Sequence, residues 1–241
     1  MILDEKIAFS KQNLDQYLRE LAKEFRKRNG KTMPAEIILT GGASIVANYG
    51  FRDMTYDIDA IILASGAMRE AIHYVGEKFN LPAGWLNTDF MRTNSYSPKL
   101  IECSAYYKTF SNILTVRTIS GEYLIAMKLV SGRKYKNDLS DITGILLSHE
   151  KMGDPITMER IDHAVRRLYG SWDFVSESTR EFIEHILKDR KYMETYLHIR
   201  DEEKKSREIL IEFTKAYPEA ANEKNVEDIL QAARRKLQNK K

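Results

Sequence analysis

Apolar residues fall at helical spacing near the start of the chain, where Leu14, Leu18, Leu21 and Phe25 predict an amphipathic helix that stops near Asn29-Gly30. The period then changes. Ile37–Leu39 reads as a first central strand, Ala43–Tyr49 as a short helix closed by Gly50, and Tyr56–Leu63 as a second strand. The mostly apolar composition of that second strand predicts burial on both faces. Met68, Ile72, Val75 and Phe79 line a further helix, ended by Asn80-Leu81-Pro82. Residues 81–98 read as a loop with an embedded helical turn.

Leu100–Tyr107 and Ile113–Thr118 predict two more strands, joined by the polar turn at 109–112. Glu122–Val130 and Asp138–His149 read as helices. After the turn at 152–155, Thr157 is placed as the N-cap of a helix carrying Ile161, Ala164, Val165 and Leu168. From Glu177 onward the pattern is helical and increasingly charged, with no internal repeat and no low-complexity linker. The order of elements is that of an α/β core over residues 1–150, with a helical C-terminal region, 151–241, that packs on the core or on a partner.

The chemistry concentrates between Ile37 and Leu63. Residues two apart on a strand share a face, so Asp57 and Asp59 point the same way while Ile58 faces the core. Paired carboxylates beside a glycine turn suit a divalent ion, because magnesium takes one or two protein carboxylates and completes its shell with phosphate oxygens. Gly41 and Gly42 let the backbone approach a phosphate, with the amides of the next helix facing the anion. Ser44 either adds a hydroxyl to that cradle or serves as a local cap. Lys128 stands on an otherwise apolar helix, from which the residues alone read it as snorkelling to the surface. Asp138 and Asp141, three apart on the next helix, share a face; Asp138 reads as a cap of that helix and Asp141 as a partner of Lys128 or Arg133, structural and electrostatic roles rather than metal ligation. Arg52 reads as a surface arginine or a phosphate ligand, and Trp85 as a core aromatic more than a stacking platform. The five histidines have no metal-like spacing.

The run from TGGAS to YDIDA resembles the signature of the polymerase-β-like nucleotidyltransferase superfamily. LPAGWLN at 81–87 and LIAMKLVSGRKYKNDLSDI at 124–142 are similar to the AbiEii-like nucleotidyltransferases, and the three blocks together cover roughly residues 35–170. The resemblance implies a mixed sheet flanked by helices, Mg2+ or Mn2+ held by Asp57 and Asp59, and transfer of a nucleoside monophosphate from a nucleoside triphosphate to an acceptor hydroxyl. It implies a lysine near the triphosphate, which falls on Lys128, and a third carboxylate on a neighbouring strand. Glu102 fits that third position, with Glu122 and Asp89 as weaker alternatives. Relatives of the AbiEii type act in bacterial toxin–antitoxin and phage-defence systems, some on transfer RNA. RNA or tRNA is therefore the acceptor the resemblance suggests, and a cognate antitoxin the partner protein. Loss of a working third acid would instead give a nucleotide-binding or partner-binding member with reduced catalysis; transfer to a protein hydroxyl or a small molecule is a further reading.

Composition changes this picture little. The chain has 241 residues, 43% hydrophobic and 30% charged, with a net charge of +3 and a single cysteine, Cys103. No internal disulfide can form, and no run is long enough to span a bilayer, so we expect a cytoplasmic protein that does not enter a membrane. The first residues, 1–13, lack the pattern of a secretory signal. Basic clusters lie at 26–31, 133–136 and 234–241; the outer two read as solvated surface, while the middle one, with Arg133, lies in the block that carries the resemblance and reads either as solvated surface or as a contact to the nucleotide substrate. A basic groove from the aspartates toward 133–136 would favour RNA, and a closed apolar pocket a small acceptor.

Overall fold

The computed structural model describes residues 7–133, 135–218, 220–222 and 225–238, the last three as backbone only. A five-stranded mixed sheet lies between helices. Its strands are β2 (Ala35–Leu39), β4 (Ile58–Leu63), β5 (Leu86–Asn87), β6 (Ser104–Phe110) and β7 (Leu114–Ile119). Their order is β5-β4-β2-β7-β6. β2 runs antiparallel to β4 and parallel to β7, and β6–β7 is an antiparallel hairpin. The hairpin turns through Ser111 and Asn112, both at positive φ (53° and 52°), the twist that a tight hairpin prefers. A separate two-stranded ribbon pairs β1 (Phe9–Ser10) with β3 (Met54–Thr55).

Alternation along the strands builds two apolar layers. Ile37, Leu39, Ile58 and Ala60 face α1 (Lys11–Asn29) and α3 (Ala67–Lys78), where Leu14, Leu18, Leu21, Phe25, Met68 and Val75 are buried. Ile38, Ile61 and Ile119 face the opposite layer, formed by α4 (Gly121–Ser131), α5 (Asp138–Lys151), α6 (Met158–Tyr169) and α7 (Glu177–Asp189). This second core runs through the boundary expected near residue 150: Ile161, Val165, Ile183 and Ile186 belong to the same apolar cluster as Leu124 and Ile142. α8 (Tyr192–Ala216) packs on α5, and α9 (Val226–Gln238) on α8. Thr157 caps α6 as expected, accepting from the Arg160 amide at 3.3 Å.

Three differences from the sequence reading bear on the site. Gly41 already belongs to helix α2 (Gly41–Asn48), which starts directly after Thr40 rather than at Ala43. The strand expected from Tyr56 starts at Ile58, because Met54–Thr55 leaves to pair with β1 and the chain bends through Tyr56-Asp57. The strand expected from Leu100 starts at Ser104; the Cys103 amide bonds back to the Lys99 and Leu100 carbonyls, closing a turn around Glu102. Trp85 is a core residue, with its Nε1 donating to the Ile72 carbonyl at 3.0 Å.

Candidate active site

β2 and β7 end, and β4 begins, on one edge of the sheet, and α2 and α4 depart from that edge. The Thr40 amide and hydroxyl both donate to the Asp59 carbonyl, at 2.9 and 3.1 Å, which fixes the entry of α2 against the start of β4. Gly41, at φ +49°, sits where a Cβ would come within 3.8 Å of the Asp59 carboxylate. A cavity of about 220 Å³ opens here, lined by Gly41, Asp57, Asp59, Asp89, Lys128 and Arg133 among others.

Asp57, in the bend just before β4, and Asp59, on β4, therefore face one space. Asp57 is exposed and accepts from the Thr55 hydroxyl at 3.1 Å. Asp59 is half-buried. Burial, then the Asp57 charge, push its carboxyl up to about 6, while Lys136 pulls it down less. A pair of carboxylates whose charges oppose each other in a partly dry site is relieved by a cation. Among the described residues no three His, Cys, Asp or Glu side chains form a complete metal cage. An ion at this pair would thus take most of its shell from water and phosphate, as magnesium commonly does.

Behind the cavity lies a buried ion network. Lys128 reaches Asp138 and Asp141, each at 2.8 Å, and Asp141 also binds Arg52 at 2.5 Å. Asp138 in turn receives the Arg133 Nε at 2.9 Å and the Arg133 amide at 3.2 Å. Burial works against the charge on Lys128, but the two aspartates outweigh it and hold its pKa above that of an ordinary lysine. Burial likewise opposes ionisation of Asp138, yet Lys128 and Arg133 keep that carboxyl well below the usual range. Lys128 is thus a fully charged cation in the cavity wall, not a snorkelling side chain.

The other sequence candidates separate. Gly42 does not line the cavity; a Cβ there would stand 2.6 Å from the Thr55 hydroxyl and 2.8 Å from the Arg52 guanidinium, so its bareness makes room for Arg52. Ser44 is buried and exchanges hydrogen bonds with the backbone of Ile119, tying α2 to β7 away from the cavity. Glu102 is an exposed turn residue paired with Arg167 at 3.3 Å, and it does not line the cavity. Glu122 pairs with Arg160. Asp89 does line the cavity, two residues beyond Asn87, the β5 partner of Asp59. Lys134 lies outside the described residues, and Lys136 lines the cavity. Sequence reading did not find Thr40, Thr93, Ser95 and Ser131, which also line it. They come from separate stretches, the N-cap of α2, the loop before β6 and the end of α4, and no local pattern reports that the fold brings them together.

A family model described as "Nucleotidyltransferase of unknown function" (DUF6036) matches residues 16–152. The chain belongs to this nucleotidyltransferase family. The match spans every strand of the main sheet and the helices that carry Lys128, Asp138 and Asp141. No curated protein and no solved structure matches the chain. Among the described residues of this family member, no helix is long and apolar enough to cross a membrane.

Proposed function

We propose that the protein is an active metal-dependent nucleotidyltransferase of the AbiEii-like type, taking a nucleoside triphosphate with Mg2+ (or Mn2+) and passing its nucleoside monophosphate to an acceptor hydroxyl. One observation carries this reading: Asp57 and Asp59 face a single cavity opposite the buried, charged Lys128 and beside the amide end of α2 at Gly41. Asp57 and Asp59 hold the metal, which when bound neutralises phosphate charge and orients the reacting oxygens. Lys128 and Arg133 face the triphosphate and offset negative charge that builds on it. Gly41 leaves the α2 end open to a phosphate oxygen.

The acceptor oxygen attacks the α-phosphorus and forms a new P–O bond as the bond to the bridging oxygen of the β-phosphate breaks, releasing pyrophosphate. The acceptor proton goes to a third acid. Asp89 lines the cavity whereas Glu102 is tied to Arg167, so Asp89 is the base in this reading.

RNA, tRNA included, is the acceptor we favour. The cavity wall carries Arg133 and Lys136, and a second groove that shares Thr93, Ser95, Ser131 and Arg133 with it adds Arg92. A basic, hydroxyl-lined path of this kind fits a polyanion better than a closed apolar pocket does. A bacterial toxin–antitoxin or defence setting, with a cognate partner protein in the cytoplasm, follows from the AbiEii resemblance alone.

The deciding experiment incubates the protein with each α-labelled nucleoside triphosphate, magnesium and total cellular RNA, alongside Asp57→Asn/Asp59→Asn and Asp89→Asn. Label on RNA that needs the aspartate pair establishes the transferase and names its donor. Metal-dependent nucleotide binding that survives loss of both aspartates removes them from the site. Binding without transfer to RNA, protein or small molecules marks a catalytically reduced member.

A further inference from the structure

Helix α8 lies beyond the family-matched segment, and with α5 and the chain around Arg52 it encloses a second cavity of about 220 Å³. Three guanidiniums line it: Arg52, Arg200 and Arg207. Arg200 and Arg207 stand seven residues apart on α8, two helical turns, and so on one face. Arg200 is exposed, lies over the Tyr196 ring, donates one hydrogen bond, to the Tyr196 hydroxyl at 3.2 Å, and forms no ion pair among the described residues. Arg207 is half-buried and has neither a hydrogen bond nor an ion pair among the described residues. A cation partly withdrawn from water without a counter-charge, as Arg207 is, is unfavourable, and with the exposed Arg200 and with Arg52 on the same small cavity it points to an anion that completes the site.

The carboxylates present do not fill that role. Asp53 is exposed, and Asp141 is already shared between Arg52 and Lys128. Charge alone permits any anion, but the fork of a guanidinium matches the paired oxygens of phosphate, and several forks around one small cavity favour it further.

We propose that this cavity is a phosphate-binding subsite. It adjoins the candidate active site through consecutive residues, since Tyr56 lines the second cavity and Asp57 the first. If the transferase reading above holds, an acceptor strand that runs from the aspartate pair past Tyr56 places a phosphate against Arg200 and Arg207, and the subsite selects a nucleic-acid acceptor. Two sources supply the same chemistry, the phosphodiester of a strand and free phosphate.

The test uses the full-length protein in EDTA, where the metal pair is silent, so its outcome is independent of whether nucleotidyl transfer occurs. Fluorescein-labelled decauridylate is titrated and its anisotropy followed, with Arg200→Gln/Arg207→Gln compared against the parent and against Lys27→Gln/Arg69→Gln, a distant surface pair. The α8 double variant is expected to bind at least about tenfold more weakly, and its log K against log salt should lose a slope of about 1 to 2. Arg207→Lys should fall between, because it keeps charge and loses the fork. Circular dichroism of each variant establishes that α8 is intact. Displacement of the strand by inorganic phosphate assigns the subsite to free phosphate as well; retention of the strand at high phosphate assigns it to the phosphodiester. Equal affinity and equal salt slope in parent and α8 variant overturn the proposal. So does preferential binding of a polyglutamate peptide, which would make the surface a protein-docking site.

Discussion

Gly42 has no room for a side chain: the Thr55 hydroxyl stands 2.6 Å and the Arg52 guanidinium 2.8 Å from its would-be Cβ. That guanidinium is not a free end: its Nε donates to the Met54 carbonyl at 3.1 Å and its Nη1 binds Asp141. Gly42→Ala gains about 1 kcal/mol of helix propensity but drives Arg52 from a buried partner, so a net loss of about 2–4 kcal/mol is expected in urea unfolding. An unchanged midpoint would mean that Arg52 has a second seat. Asp59 gives a prediction in pH. Its carboxyl is pushed up to about 6 in the folded protein, against about 4 in an unfolded chain. The folded state therefore binds the proton more tightly, and metal-free stability falls as pH rises from about 4 through about 6. Asp59→Asn removes this penalty: in EDTA it should stabilise by up to about 2–3 kcal/mol near pH 7.5, with the gain fading to nothing near pH 4. A gain that persists at low pH would place its origin elsewhere than in the charge.

At the scale of elements, α5 starts without a cap of its own, since Asn137 makes no side-chain bond to the first turn. Glu203 of α8 supplies it: one carboxylate oxygen accepts the Leu139 and Ser140 amides, each at 3.2 Å, and the other accepts the Ser140 hydroxyl at 2.5 Å. Tyr196, also on α8, donates to the Phe51 carbonyl at 2.9 Å, next to Arg52. One helix thus holds the segments that carry both members of the Arg52–Asp141 pair. Glu203→Ala should cost about 1–3 kcal/mol and speed hydrogen exchange at the Leu139 and Ser140 amides; unchanged exchange there would remove Glu203 as the cap. None of this was legible in sequence, because Arg52 and Asp141 are 89 positions apart and Ser140 and Glu203 are 63 apart. Periodicity did place α1, β2, α3, α4 and α5, and the Asp-x-Asp spacing did bring two carboxylates to one cavity. It failed at Glu102, where Leu100 and Cys103 are both buried: a spacing of three serves a turn as well as a strand end misread by one residue. Gly42 and Ser44 likewise do not line the cavity: the bareness of Gly42 makes room for Arg52, and the Ser44 hydroxyl bonds the Ile119 backbone.

On the scale of the whole molecule, the family-matched segment shares its core with the helices that follow it. It ends at residue 152, yet Ile161, Val165, Ile183 and Ile186, all beyond that point, are buried in the core that also holds Ile38, Leu124, Ile142 and Ile145. Each buried side chain of this size contributes about 1.5–3 kcal/mol. Four of them total about 6–12 kcal/mol, comparable to the whole net stability of a typical domain, about 5–15 kcal/mol. A protein cut after Met152 would also lose Glu203 and Tyr196, and with them the support for α5 and for the loop before Arg52. Such a fragment is therefore expected to show no cooperative thermal transition, to bind a hydrophobic dye, and to lose nucleotide binding together with structure. The helical region added back as a separate chain should restore a cooperative transition, because the two share one apolar interface. A fragment of 1–152 that melts sharply on its own would show instead that the sheet and the helices α1, α3, α4 and α5 suffice, and that α6, α7 and α8 only cover a core already stable.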